Sequence, residues 1–227
     1  MSAVTISGVG KTFPGHGGSD RATDNEVPTV NKTLDQLRAT ELAPFAAIAR
    51  EDPADLAGMT DAMMVSHIRY RNFLQGGSDR FTRPISLDAA AFRALMDLED
   101  FAAWHADHMV MADALGVEAV KAWYRDAEGQ AVFPHRTVVR EALLAGNDLL
   151  PLVGFYADPA KPGWRDNQLP LMQDAITYMR EQYAQDSEFR RRADEAVRKV
   201  IAAKMTLYPR MQPADAQSDE SATDPVG

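Results

Sequence analysis

Three groups of ionisable residues in this 227-residue chain each follow a short apolar run. Asp113 follows Met109-Val110-Met111-Ala112. Ser66, His67 and Arg69 follow Ala62-Met63-Met64-Val65. Lys11 and His16 follow the run Val4–Val9, His16 inside the glycine-rich stretch Phe13-Pro14-Gly15-His16-Gly17-Gly18. A carboxylate such as Asp113 at the end of an apolar run is pushed toward its neutral form by burial and toward its charged form by a nearby cation. Its plainest role is to cap the helix that begins near Leu115. Set opposite a second carboxylate or a histidine, with a lysine close by, it has the equipment to break a glycosidic bond. One group then attacks or stabilises the anomeric carbon while the other handles the leaving-group proton.

Other chemistries find no support. Cysteine is absent, which excludes disulfides, zinc-thiolate and iron–sulfur sites and a thiol nucleophile. There is no His-Glu-x-x-His and no calcium-loop spacing. His105 and His108 are three apart, but Asp107 and Met109 beside them read as a solvated loop entering a strand rather than as a metal site. No Lys-Ser/Thr pair follows the last glycine of the Gly15–Gly18 loop, so it is not a phosphate loop, and Gly-x-Ser-x-Gly is missing. The residues imply neither a cofactor nor a metal.

For the three groups to meet, the runs that precede them must lie side by side. Val4–Val9 alternates apolar and small residues, as a short strand does. Ala62–Val65 and Met109–Ala112 read as buried strands. Asp148–Val153 reads as a fourth, with Pro151 confining it to an edge or a strand end. Thr33 is placed to cap a helix carrying Leu34, Leu37, Leu42, Phe45 and Ile48 and kinked at Pro44. A loop over Asn72–Pro84, centred on Gly76-Gly77, leads to Ser86, which is expected to cap a helix over Leu87–Leu98. Val117–Tyr124 and Arg136–Leu144 are further helices, the second closed by Gly146. Asn167–Ala184 and Ser187–Leu207 form a final helical pair, the latter with Phe189, Ala193, Val197, Val200, Ile201 and Met205 on one stripe. Alternating strands and helices predict an α/β fold of parallel strands with helical crossovers. The ligand site of such a fold lies at the C-terminal ends of its strands, where the three groups stand.

The composition agrees with a globular chain: 45% hydrophobic and 25% charged residues. No apolar run approaches the roughly 20 residues that cross a bilayer. A net charge of −9 disfavours a phosphate backbone. The dense basic cluster Arg190-Arg191-Arg192 lies among Glu188, Asp194 and Glu195, as a solvated helix face does. Neither nucleic acid nor a membrane is an expected partner. Met1–Gly10 lacks the features of a secretion signal, and the absence of cysteine leaves the compartment open. One domain is expected over 1–209, with a disordered tail over 210–227, where large apolar side chains other than Met211 give way to small and polar ones.

Lys11-Thr12-Phe13-Pro14-Gly15-His16-Gly17 resembles the Lys-His-Phe-Pro-Gly-His-Gly signature of glycoside hydrolase family 3, which holds β-N-acetylhexosaminidases and β-glucosidases. Collinear similarities follow from about Gly10 to Pro209: Leu42-Ala43-Pro44-Phe45, Met64–Tyr70, Pro84-Ile85-Ser86-Leu87, Val110–Gly116 and Ala145-Gly146-Asn147-Asp148. The resemblance implies a (β/α)8 barrel, a β-linked saccharide as substrate and a retaining mechanism. It implies that Asp113 is the nucleophile and that Lys11 hydrogen-bonds sugar hydroxyls. His16 either shapes the pocket floor or ties the loop. His67 and Arg69 are substrate-side candidates that could also pair with carboxylates beneath the site.

Two departures accompany the resemblance. Thr12 stands where the signature has its first histidine. Ala22-Thr23-Asp24 stands where the hexosaminidase branch has the Asp-Ser-His that supplies its acid/base dyad, which leaves Asp24 as the acid/base candidate, with Asp20 or Glu26 as substitutes. The signature lies near the middle of the family's barrel, so the chain is expected to hold the second half of a barrel plus closing helices, and to be a fragment. The expected partner is then an N-terminal half-barrel. Alternatives are a sugar-binding half-barrel that has lost turnover and a module that completes a barrel with a separate chain.

Overall fold

The computed structural model describes residues 8–19, 21, 26–50, 60–73, 82–156 and 164–207. Three parallel strands, β1 (Gly8–Phe13), β3 (Thr60–Val65) and β5 (Met109–Ala112), form a sheet in the order β1-β3-β5. A second parallel pair joins β2 (Thr29–Asn31) to β4 (Arg69–Arg71). The helices are α1 (Leu34–Ala39), α2 (Leu42–Ala49), α3 (Ala89–Met96), α4 (Glu99–Asp107), α5 (Glu118–Ala127), α6 (His135–Ala145), α7 (Trp164–Asn167), α8 (Leu169–Gln185) and α9 (Ser187–Leu207). The chain is thus an α/β fold with parallel strands.

Strand periodicity divides the sheet into two unlike faces. Met63, Val65 and Val110 point to one side and pack with Phe13, Phe45, Phe92, Phe101 and Trp104 in a fully enclosed core. Phe13 meets Phe45 and Phe101 edge-on, each with ring centroids 5.3 Å apart. On the opposite side one cross-strand row runs Lys11, Met64, Met111, Leu149. That face is open: Lys11, Leu149 and the neighbouring Val9 are exposed, while Met64 and Met111 are half-buried.

Several elements depart from the sequence-based expectation, each for a local reason. The first strand extends through Lys11-Thr12-Phe13 rather than ending at Val9, because burial of Phe13 and its pairing with Val65 extend the ladder; residues 4–7 lie outside the described residues. The single helix kinked at Pro44 is two helices that break at Thr40-Glu41. Thr33 does cap α1, in a capping box with Gln36. Pro44 sits in the first turn of α2, where a missing N–H costs nothing because no intrahelical acceptor exists for it. Ser86 does not cap α3. Asp88 does, its carboxylate accepting from the amides of Ala90 and Ala91, while Ser86 is buried in a 3-10 turn over Ile85–Leu87. His105 lies in α4, not in a loop.

The fourth expected strand is an extended segment with a single bridge, Leu149 to Met111. Its carbonyls at Leu149, Pro151 and Val153 accept from Ala112, Leu115 and Gly116. Pro151 has no N–H to return a bond, so no regular ladder forms. The Gly76-Gly77 loop centre and the 210–227 tail fall outside the described residues.

Candidate active site

Backbone pairing continues past the sheet ends and carries three chain segments to one edge. The Ser66 amide donates to the Phe13 carbonyl and the Asp113 amide to the Val65 carbonyl, both at 2.9 Å. Asp113 lies two residues beyond Met111, which extends the alternation of β5 to place it on the open face that carries Lys11. Two strand spacings, about 10 Å, separate the two chain positions across the sheet. The Asp113 carboxylate is half-buried, and its Oδ1 accepts from the Ala114 amide at 2.8 Å.

The turn after Asp113 is held by close backbone packing. A Cβ on Gly116 would lie 2.2 Å from the Gly154 carbonyl carbon, so any side chain there would drive the turn away from the segment after Pro151. Lys121 closes the same corner: its ammonium donates to the Gly154 carbonyl at 2.9 Å and lies over the Tyr156 ring. Burial brings its pKa down to about 8, against the opposing charge of Glu118.

His67 sits behind Asp113, fully enclosed at 0% exposure. Its Nε2 lies 3.0 Å from the Ala114 carbonyl and its Nδ1 2.7 Å from Ser86 Oγ. A carbonyl can only accept, so Nε2 carries the hydrogen, and in the neutral ring Nδ1 accepts from the Ser86 hydroxyl. Burial pushes the ring well below the ordinary imidazole value, against the opposing charge of Asp113. With both ring nitrogens committed inside the protein, His67 faces the back of the site.

The glycine-rich loop forms a second cluster. Lys11, Thr12, Gly15, His16, Thr40 and Glu41 line a cleft of about 490 Å3. Gly15 has φ +134°, and a Cβ there would lie 2.5 Å from Glu41 Cβ. The loop is further held by Tyr70, whose hydroxyl donates to the Gly15 carbonyl at 2.6 Å. Beneath it the enclosed Glu41 carboxylate accepts from Lys32 at 2.5 Å and from Thr40 Oγ1. Burial disfavours its charge, but these bonds prevail and hold its pKa below the usual value.

The expected site residues therefore divide. Lys11 and His16 are exposed in the loop cleft, where His16 Nε2 lies 3.2 Å from the Arg21 carbonyl, the loop-tying contact. Asp113 and His67 form the other cluster. Arg69 is on β4, its guanidinium donating to the Val27 carbonyl at 3.4 Å. Glu26 pairs with Arg21. Asp24 and Asp20 lie outside the described residues. Sequence reading took Ser86 for a helix cap and gave Glu41, Lys32 and Tyr70 no part in the site, because each acts through a partner 9 to 55 positions away. Among the described residues, no group of three His, Asp or Glu could hold a metal ion, and no helix is long and apolar enough to cross a membrane.

A parallel sheet with a carboxylate, a lysine and a glycine-rich loop at the C-terminal ends of its strands has the α/β arrangement in which ligand sites lie at that edge. The model of the glycosyl hydrolase family 3 N-terminal domain matches residues 1–201, and the chain belongs to that family. A β-hexosaminidase of Pseudomonas aeruginosa is 34% identical over 70 residues, which cover 31% of this chain and 19% of that protein. One from Stenotrophomonas maltophilia is 32% identical over 103 residues, covering 44% and 29%. The chain thus spans less than a third of the curated relatives it matches. Among solved structures, a family 3 β-N-acetylglucosaminidase from Paenibacillus sp. FPU-7 superposes with a TM-score of 0.62 at 22% identity, covering 97% of this chain and 35% of that one. The β-glucoside phosphorylase BglX superposes with a TM-score of 0.65 at 16% identity, covering 92% and 32%.

Proposed function

We propose that the chain forms part of a retaining β-glycoside hydrolase of the β-N-acetylhexosaminidase or β-glucosidase type. Residues 1–209 are its catalytic-domain portion, and the strands form a sector of a (β/α)8 barrel. Asp113 attacks the anomeric carbon as the glycosidic oxygen takes a proton and leaves, forming a covalent glycosyl–enzyme. Water then attacks that carbon, giving its proton to the acid/base group and releasing Asp113. Asp24 is the proposed acid/base. Lys11 hydrogen-bonds sugar hydroxyls, and His16 holds the loop that shapes the pocket. Arg69 lies at the margin, and His67 supports the site from behind.

The observation that carries this reading is the place of Asp113: at the end of β5, on the open sheet face that carries Lys11. The same openness supports a partner surface. Lys11, Val9 and Leu149 are exposed on that face, and a second half-barrel, whether on this polypeptide or another, would cover it. The names of the relatives point to a β-linked hexosamine or glucose as the sugar.

The test is turnover of p-nitrophenyl β-N-acetylglucosaminide and β-glucoside, alone and after adding an N-terminal half-barrel. Release of nitrophenol that is lost in Asp113→Ala supports the reading. Saccharide binding with no turnover in either condition overturns it in favour of a sugar-binding half-barrel, a second reading motivated by Thr12 and by Ala22-Thr23-Asp24 in the signature region.

A further inference from the structure

The residue that follows the proposed nucleophile is clamped at both ends. The Ala114 amide donates to Asp113 Oδ1 at 2.8 Å, and the Ala114 carbonyl accepts from His67 Nε2 at 3.0 Å. The orientation of this one residue aims the N–H that holds the carboxylate, so whatever holds the carbonyl also sets the carboxylate. His67 is itself held: Ser86 Oγ donates to Nδ1 at 2.7 Å. Ser86 is anchored in turn by the buried Asn147, whose side-chain amide donates to the Ser86 carbonyl at 2.8 Å and to the Ala142 carbonyl at 2.7 Å. A continuous run of hydrogen bonds thus connects the end of α6 to Asp113.

We propose that His67 is a positioning residue for Asp113, acting as a neutral Nε2–H donor whose tautomer Ser86 locks. This rests on reading Asp113 as the nucleophile. The neutral ring has two consequences. It can donate to the Ala114 carbonyl only while Nδ1 is free to accept, which the Ser86 hydroxyl enforces. It also leaves the charge of Asp113 without a cation behind it, so that charge is available to the anomeric carbon; an imidazolium at this place would pair with it and weaken the attack. Asn147, at 0% exposure, brings no charge of its own.

The test uses the whole chain and the variants His67→Leu, His67→Gln and Ser86→Ala, with two kinds of readout. The first needs no activity: 15N NMR of the imidazoles and 13C titration of the Asp113 carboxylate. Wild-type His67 is expected as the Nε2–H tautomer, still neutral at pH 6.5. Ser86→Ala is expected to mix the tautomers, and His67→Leu to shift the Asp113 titration. The second readout is the rate at which an activated 5-fluoro-β-N-acetylglucosaminide labels Asp113. His67→Leu should slow labelling by about a hundredfold, the scale of a misplaced reacting group, with the concentration for half-maximal rate little changed. His67→Gln should recover most of the loss, since its amide can donate to Ala114 and accept from Ser86.

An Nδ1–H tautomer or an imidazolium in the wild type overturns the proposal. So do variants that label at the wild-type rate with an unmoved Asp113 titration. A wild-type chain that is not labelled defeats the glycosidase reading, while the Asp113 titration still decides the role of His67. Ser86→Ala, which removes one hydroxyl, carries the test where His67→Leu does not fold.

Discussion

His67 and His105 are two sheltered histidines at opposite ends of the central sheet, and their surroundings differ in kind. His67 stands where the strands end, beside the half-buried Asp113, with both ring nitrogens hydrogen-bonded to neutral groups. His105 lies near the start of β5, in a cleft of about 460 Å3 shared with Asp148, Arg192 and Lys199. Burial, then the charges of Lys199 and Arg192, bring its pKa down to about 4. The Asp148 carboxylate there is 1% exposed and accepts from Arg192 at 2.7 Å and from the Val110 amide at 2.9 Å, with Lys199 at 3.8 Å. The cleft at this end is about as large as the one beside Lys11. Size therefore does not distinguish the two ends. At the lower end the buried carboxylate is answered by two cations. At the upper end, among the described residues, Asp113 forms no salt bridge and has a backbone N–H and a neutral ring beside it.

That contrast can be broken first at Asp113. Asp113→Asn should lower turnover of p-nitrophenyl β-N-acetylglucosaminide by about a thousandfold or more while leaving the urea midpoint of unfolding nearly unchanged. A large loss of stability with little loss of rate would reverse the assignment of the two ends. Asp148→Ala should do the opposite. It strands Arg192 and Lys199 in a sheltered cleft and should cost about 3–5 kcal/mol in urea unfolding, with no shift in the Asp113 carboxylate titration.

A smaller effect belongs to His105. Above pH 6.5 its ring is neutral in both the folded and the unfolded chain. Between pH 6.5 and about 4 the unfolded chain takes up the proton and the folded chain does not, so stability falls as pH drops through that window. The difference between the wild type and His105→Leu should trace this loss, about 2 kcal/mol after allowing for partial exposure, in unfolding curves taken across the window. The smallest change is a control remote from both ends. Thr33→Ala removes the capping box of α1 and should cost about 1 kcal/mol of stability, without moving the titration of either histidine.

The elements were legible wherever one local rule dominated. Thr33 before the apolar-periodic run announced a helix start, and Gly146 announced a helix end. Met109–Ala112 and Ala62–Val65 were apolar runs too short for helices and proved to be neighbouring strands of the sheet. Legibility failed where a distant partner outweighed the local signal. Phe13 looked like the opening of a turn until burial against Phe45 and Phe101 drew it into β1. Ser86 had the makings of a helix cap, but His67 claimed its hydroxyl and Asp88 took the cap. Asp148–Val153 had a strand's composition, yet after the amides of Asp148 and Leu149 have donated to Val110, Pro151 has no N–H with which to continue the ladder.

By itself the sequence determined the α/β class, through alternating apolar runs, and the family, through the Lys11–Gly17 signature and its collinear companions. Through the same resemblance it offered Asp113 and Lys11 as candidates for glycosidic chemistry. Tertiary structure alone decided that these two share the open face of the sheet, because cross-strand register is a pairing between segments some 50 residues apart and leaves no local trace. It alone enclosed His67 and set its ring nitrogens against Ala114 and Ser86. Whether an imidazole meets a substrate or a carbonyl depends on which groups the fold brings within 3 Å of its two nitrogens, and no spacing along the chain encodes that.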